Sequence, residues 1–279
     1  MYEIAGVKMK FFADFDVSMR LKPYQSNFSD NPDVIITITK CKSIPKNRTK
    51  LLLDDVIKWH IDTENNVIQI DFPDDYYKEG TTCRLCVNKQ WTNATIYYIK
   101  KETNCENAIL NIFGNIIMRN RILFQQGILL HASSIQFNNE GIIFSAPSGT
   151  GKSTHSALWE QYYNACVIND DTPALKLFDN HIMVCGTPWS GSLGKHSNIS
   201  APLKAIVILE QYPENCIRKL TEKESITSLI PRFMLPYHNK KLMETAMEYI
   251  NHIVKSTPVY LLKCRPDREA AELVHRTLF

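Results

Sequence analysis

The 279-residue chain has no apolar run that reaches the roughly 18 residues a membrane span needs, so no membrane segment is expected. Its first residues, Met1 and Tyr2 through Lys8, lack the basic start, apolar run and small-residue cleavage site of a secretory signal. The expected compartment is the cytoplasm. Charge of one sign is scarce too. The chain carries 32 Lys and Arg against 29 Asp and Glu, a net charge of +3, which is too little for a nucleic-acid surface. Metal-type cysteine spacing is almost missing. Of 8 cysteines, only Cys83 and Cys86 are spaced as zinc ligands, and no second pair completes a tetrahedral site. Buried reduced thiols are expected there instead. There is no internal repeat and no low-complexity tract. The remaining composition, 44% hydrophobic, supports one large core or two modest ones.

Residues 1–125 read as a β-rich module. Short apolar or alternating runs begin at Val7, Val34, Val67, Arg84 and Ala94. Polar turns bearing Pro or Asn separate them at 29–32, 63–66 and 71–75, the pattern of a meandering antiparallel sheet. Trp59, His60 and Ile61 before the 64–66 turn suggest a hairpin with 67–71. His60 reads as a sheet-face residue. A helical pattern over 103–125, capped at Thr103 or Asn104 and broken at Gly127, predicts a connector.

Residues 126–279 alternate strands and helices. One strand is expected from Ile128 to Phe137, then a hairpin turn at Asn138–Gly141 and a second strand through Phe144. Glycine is sparse, with 10 in the chain, yet Gly149 and Gly151 fall together after that strand. The stretch from Ser145 through Ala146, Pro147, Ser148, Gly149, Thr150, Gly151, Lys152 and Ser153 to Thr154 fits the phosphate-loop pattern G-x-x-x-x-G-K-[ST], with Ala146 in place of its first glycine. The chemistry needs these residue types. Glycines let backbone N–H groups approach phosphate oxygens, and the following helix turns its positive end to the same anion. Lys152 supplies a point charge for the outer phosphates, and the Ser153 hydroxyl suits Mg²⁺. Ala146 is expected to take a backbone angle that glycine adopts more easily. A hairpin leading directly into such a loop departs from the usual parallel arrangement.

Further strands are expected at 165–168, 174–178, 181–185, 203–210 and 259–262. Helices are expected over 221–256, interrupted at Pro231 and Pro236, and from Asp267 to Phe279. Asp170 and Asp171 end the strand after the loop helix. Two adjacent acids behind a phosphate loop suggest a division of labour, one holding metal and one accepting the proton of an attacking hydroxyl. His131 can lie near the loop's end of the sheet. In the small-residue loop 186–196, Trp189, Ser190, Lys195 and His196 are candidate acceptor contacts. Arg232, in the break between helices, could pair with phosphate or with an acceptor carboxylate.

His131 with its neighbours, the hairpin, the 145–154 loop and the strand ending in Asn169, Asp170 and Asp171 resemble the catalytic domain of HPr serine kinase/phosphorylase, related in fold to phosphoenolpyruvate carboxykinase. The resemblance covers residues 126–279 and is strongest over 129–171. The stretch Gly186–Gly191 and the strand from Pro202 to Gln211 look more like HPr-kinase-like proteins of peptide-modification gene clusters, including those of lasso peptides. The fold implied is α/β, a mixed-sheet phosphate-loop kinase core preceded by the β-rich module. The function implied is transfer of the γ-phosphoryl group of ATP, with Mg²⁺, to a serine-type hydroxyl on a peptide or small molecule. Ser148 to Thr154 would bind the triphosphate, Ser153 and Asp171 the metal. Asp170 would be the general base, and His131 would face the phosphates or metal. The Glu-x-Arg-Gly signature of HPr kinases is unmatched here, and so is their regulatory domain, which weighs against HPr as the acceptor. HPr kinases form hexamers, and a homo-oligomer is left open. No nucleic acid or membrane partner is expected.

Overall fold

The computed structural model describes residues 1–28, 31–44, 49–53, 57–72, 82–99, 109–179 and 181–279. The expected turns at 29–32 and 71–75 lie partly outside those residues, and the cap at Thr103 or Asn104 lies wholly outside them. The described chain divides into two compact units. One holds Met1–Phe124 with Pro236–Leu242, the other Gln125–Leu235 with Met243–Phe279.

The first unit contains an eight-stranded sheet in the order β1-β2-β3-β8-β7-β6-β5-β4. Its strands are β1 (Tyr2–Ile4), β2 (Val7–Phe12), β3 (Val34–Lys40), β4 (Thr49–Leu53), β5 (Lys58–Asp62), β6 (Val67–Phe72), β7 (Thr82–Asn88) and β8 (Asn93–Ile99). Strands β3 and β8 alternate buried and half-buried residues, so Ile36 and Ile96 face a core also filled by Ile70 and Leu85. The hairpin of β5 and β6 forms as expected. Asp62 fixes its turn by accepting the N–H groups of Glu64 and Asn65, both at 3.0 Å. The sheet is not a pure antiparallel meander, however. Strand β3 runs parallel to both β2 and β8. Cys83 and Cys86 sit three apart on β7, which sends them to opposite faces of the sheet. Among the described residues no cluster of three His, Cys, Asp or Glu is placed to hold a metal.

The second unit is α/β. Strands β12 (Cys166–Asn169), β10 (Ser133–Phe137), β11 (Glu140–Ser145), β15 (Ser200–Gln211), β14 (His181–Cys185), β13 (Ala174–Phe178) and β9 (Gly127–Leu129) follow one another, with β17 (Val259–Cys264) joining β15 to β16 (Cys216–Lys219). Strand β11 is antiparallel to β10 on one side and parallel to β15 on the other. The hairpin before it turns on Asn138 and Asn139, both left-handed at φ 48° and 62°, the backbone of a type I′ turn. The stretch expected as one strand from Ile128 to Phe137 is two strands, interrupted at residues 130–132. Helices run over Lys152–Tyr163, Glu222–Leu229, Lys240–Ser256 and Arg268–Leu278. Pro231 ends the second in a short 3-10 turn. Asp267 caps the last through the Ala270 N–H. Among the described residues, no helix is long and apolar enough to cross a membrane.

The loop helix buries His155, Ser156 and Trp159. Their spacing puts all three on one face, over Phe144 of β11 and against Ala271, Val274 and Leu278 of the terminal helix. Phe137 meets Trp159 edge-on at 5.5 Å and Tyr163 leans on it at 4.9 Å. This packing fixes the helix whose first turn forms the site. Trp159→Ala is expected to cost about 3–5 kcal/mol, as large aromatic truncations in cores do. Denaturant unfolding midpoints of the two proteins would check it.

Candidate functional site

Chain geometry builds the site around the loop between β11 and its helix. Gly149 and Gly151 carry φ values of 78° and 108°, which an L side chain rarely adopts. They curl the loop so that the helix begins at Lys152. Thr150 N–H closes the turn on the Pro147 carbonyl at 3.3 Å. Ser148 and Gly149 are exposed, Thr150 and Gly151 half-buried. Ala146 does not take the left-handed angle expected of it, since it is not among the residues of positive φ. It is instead fully buried in the core beneath the loop, where a small side chain fits. Ser153 and Thr154 occupy the first helical turn, half-buried and exposed.

The Lys152 ammonium folds back to three acceptors. It lies 2.9 Å from His131 Nε2, 3.3 Å from the Ala146 carbonyl and 3.4 Å from the Pro147 carbonyl. An ammonium has no lone pair, so His131 Nε2 accepts and its Nδ1 carries the hydrogen. That nitrogen meets Asp171 Oδ1 at 3.1 Å. Burial pushes the Lys152 ammonium below its ordinary pKa; Asp171 opposes this and the Arg232 charge adds to it. Burial pulls the Asp171 carboxyl upward, but hydrogen bonds from His131 and Thr172 and the charge of Lys152 outweigh it and hold Asp171 below its ordinary pKa.

His131 reaches this place because the strand breaks there. Its N–H donates to the Arg232 carbonyl at 2.7 Å, and the Ala132 N–H donates to the Asp171 carbonyl at 2.8 Å. Ser145 Oγ donates to the His131 carbonyl at 3.4 Å. Arg232 follows Pro231, half-buried, with no ion pair among the described residues. It lines a cavity of ~480 Å³ together with Pro147, Thr150, Gln211 and Ser228.

The two acids have different surroundings. Asp171 is about one-third exposed. Asp170 is 3% exposed; one carboxylate oxygen accepts the Gly191 N–H at 2.7 Å and the other, Oδ2, is buried with no hydrogen-bond partner. The Asp171 carboxylate and the Ser153 hydroxyl are hard oxygen donors, the chemistry that suits a cation held in part by a few protein groups and in part by phosphate. The loop 186–196 covers Asp170, and an added side-chain carbon at Gly191 would meet Asp171 Cβ at 3.3 Å.

The remaining candidate contacts lie on loop 186–196, over the acid pair. Trp189 is buried at 7% exposure, drawn inward rather than presented as an open acceptor contact. The Lys195 ammonium pairs with Glu160 at 2.5 Å, on the loop helix, while its carbonyl accepts the Asp170 N–H. Ser190 and His196 are half-buried.

Asn169 carries a role that spacing did not reveal. Fully buried, its Oδ1 accepts the N–H groups of Asp171 and Thr172 at 2.8 and 2.6 Å. Its Nδ2 donates to the Thr187 and Trp189 carbonyls at 2.8 and 3.1 Å. One amide therefore ties the acid pair to the loop above it. The signal was an amide ending an apolar strand immediately before two acids.

No protein-family model matches the sequence. No curated protein matches it. Among solved structures the chain is similar to the HPr(Ser) kinase/phosphatase from Coxiella burnetii, at 13% identity and a TM-score of 0.31, over 53% of this chain and 89% of that one. A superposition that loose carries nothing about activity, substrate or site.

Asn169→Ala leaves two buried N–H groups and two carbonyls without their partner. It is expected to lower stability by about 3 kcal/mol or more, measured by chemical denaturation. Acid sensitivity follows from His155. Burial lowers its pKa from 6.5 to about 4. The unfolded chain therefore takes up the proton first. Stability is full above the unfolded value and falls as pH drops toward the folded one, by roughly 3 kcal/mol in all. His238 in the first unit, also lowered to about 4 by burial, adds a loss of the same sign. In His155→Phe the fall in melting temperature between about pH 7 and pH 5 should shrink. An unchanged pH slope would contradict this.

Proposed function

We propose that the chain is a phosphotransferase of the HPr kinase and phosphoenolpyruvate carboxykinase type, using ATP and Mg²⁺ to phosphorylate a serine-type hydroxyl. The observation that carries this reading is the convergence of Lys152, His131 and Asp171 at a loop whose two glycines are left-handed. Residues Ser148 to Thr154 would hold the triphosphate. Ser153 and Asp171 would hold the metal, whose charge, when bound, offsets that of the transferring group. Lys152 would leave its loop carbonyls for the outer phosphate. His131 would keep Asp171 oriented. Asp170 would accept the hydroxyl proton through its unpartnered oxygen, once loop 186–196 admits an acceptor. In this reading residues 126–279 are the kinase domain and 1–125 an accessory module. A ribosomally made peptide as acceptor rests on the sequence resemblance to proteins of peptide-modification clusters, and the unmatched Glu-x-Arg-Gly signature weighs against HPr.

A second reading is a nucleotide-binding switch without transfer, with the β-rich module holding a peptide or partner enzyme. One observation favours it: Asp170 is too buried to meet a hydroxyl unless the loop moves. Intact-mass measurement separates the two. The protein, ATP and Mg²⁺ are incubated with the peptide encoded beside the gene, with HPr and with free serine. A gain of one phosphate is expected on one acceptor, lost in Asp170→Asn and reduced on the order of 10²–10³-fold in rate in Lys152→Ala. Wild-type turnover in Lys152→Ala would sink the kinase reading. Nucleotide binding with no transfer to any acceptor would favour the switch.

A further inference from the structure

Asp170 is closed to solvent but not to its own loop. The residue is 3% exposed, one carboxylate oxygen takes the Gly191 N–H at 2.7 Å, and Oδ2 is buried without a partner. With the loop as it stands, a hydroxyl arriving from solvent cannot meet that oxygen. The loop carries hydroxyls of its own.

Hydrogen bonds hold the loop over the acid pair. Asn169 Nδ2 donates to the Thr187 and Trp189 carbonyls, and the Asp170 N–H donates to the Lys195 carbonyl at 3.1 Å. Ser190 lies between Trp189 and Gly191, both of them anchored in this way. Its Cα is joined to the Gly191 nitrogen through a single carbonyl carbon, so its side chain starts beside the atom that bonds Asp170. Ser190 is half-buried, and its hydroxyl makes no hydrogen bond among the described residues. It is free to turn. Ser192 lies beyond Gly191, exposed, in the turn that the Gly194 N–H closes on the Gly191 carbonyl at 3.1 Å.

The residues assigned to the outer phosphate reach the same place. Lys152 meets His131, and His131 meets Asp171. A side-chain carbon added at Gly191 would lie 3.3 Å from Asp171 Cβ and 3.7 Å from Asp170 Oδ2. Gly191 leaves that space unfilled, and its backbone is not of the left-handed kind that would itself call for glycine. No side chain at 191 stands between Ser190 and the acids.

We infer that Ser190 is a phosphate acceptor in cis, so that the chain phosphorylates its own loop. The inference rests on the phosphotransferase reading of the same site and names an acceptor for it within the chain. The bond from the γ-phosphorus to the bridging oxygen breaks, and ADP leaves with that electron pair. A bond from Ser190 Oγ to the phosphorus forms, and the hydroxyl proton passes to Asp170 Oδ2.

The test is to incubate the full chain with Mg·ATP and no added acceptor, and to follow it by intact mass and fragment mass spectra. A gain of one phosphate on Ser190 is expected, at a rate per chain that does not change with protein concentration. The gain should vanish in Ser190→Ala, return in Ser190→Thr and persist in Ser192→Ala. In Lys152→Ala it should slow on the order of 10²–10³-fold. Phosphate on any other residue, or a rate per chain that rises with concentration, would overturn the assignment. An unmodified chain that still phosphorylates an added peptide, HPr or serine would overturn it too, and would leave the phosphotransferase reading standing. Nucleotide binding with no transfer to the chain or to any acceptor would remove both.

Discussion

An ammonium group half-withdrawn from water needs acceptors, and Lys152 has two loop carbonyls and a histidine. The carbonyls come with the loop; the histidine does not. It belongs to the break between β9 and β10, and it can accept only if its other nitrogen keeps the hydrogen. Asp171 enforces that tautomer from a third strand end. The arrangement stands because the backbone at 131–132 is bonded to Arg232 on one side and Asp171 on the other. Three segments remote in sequence, at 131–132, 171 and 232, are thus fixed to one another by main-chain hydrogen bonds, and the side chains inherit their positions from them.

What was legible in the sequence was local. The turn at Asn138 and Asn139 could be read because those residues tolerate left-handed backbone and little else explains two of them together. The loop at Gly149 and Gly151 and the cap at Asp267 could be read for similar reasons. The break in the strand at His131 could not. Ile128 to Phe137 is apolar enough to form one strand, and only tertiary bonds to Arg232 and Asp171 interrupt it. The parallel pairing of β3 with β2 and β8 was equally hidden, since each strand's own pattern is the same in either direction. Trp189 illustrates the same limit: no periodicity in a small-residue loop tells whether its ring faces outward.

Burial treats the acid pair unequally, and Asn169 is the cause. Its amide holds the Asp171 and Thr172 N–H groups on one side and the 187–189 carbonyls on the other. The loop is drawn down over Asp170, while Asp171 stays partly open beside His131. A buried carboxylate oxygen with no partner is costly. The closed loop is therefore held against a local penalty, which any ligand supplying a proton or a cation at that oxygen would relieve.

The same reasoning applies to the cations. Burial disfavours charge on Lys152, and the nearby Arg232 charge adds to the effect. Asp171 is the nearby counter-charge, and part of its capacity is taken by His131 and Thr172. The positive charge at the loop exceeds what that carboxylate offsets. The helix N-terminus and the N–H groups curled by two left-handed glycines act in the same direction. A multiply charged anion at the loop would offset the repulsion between these cations and would meet the N–H groups that the two glycines expose.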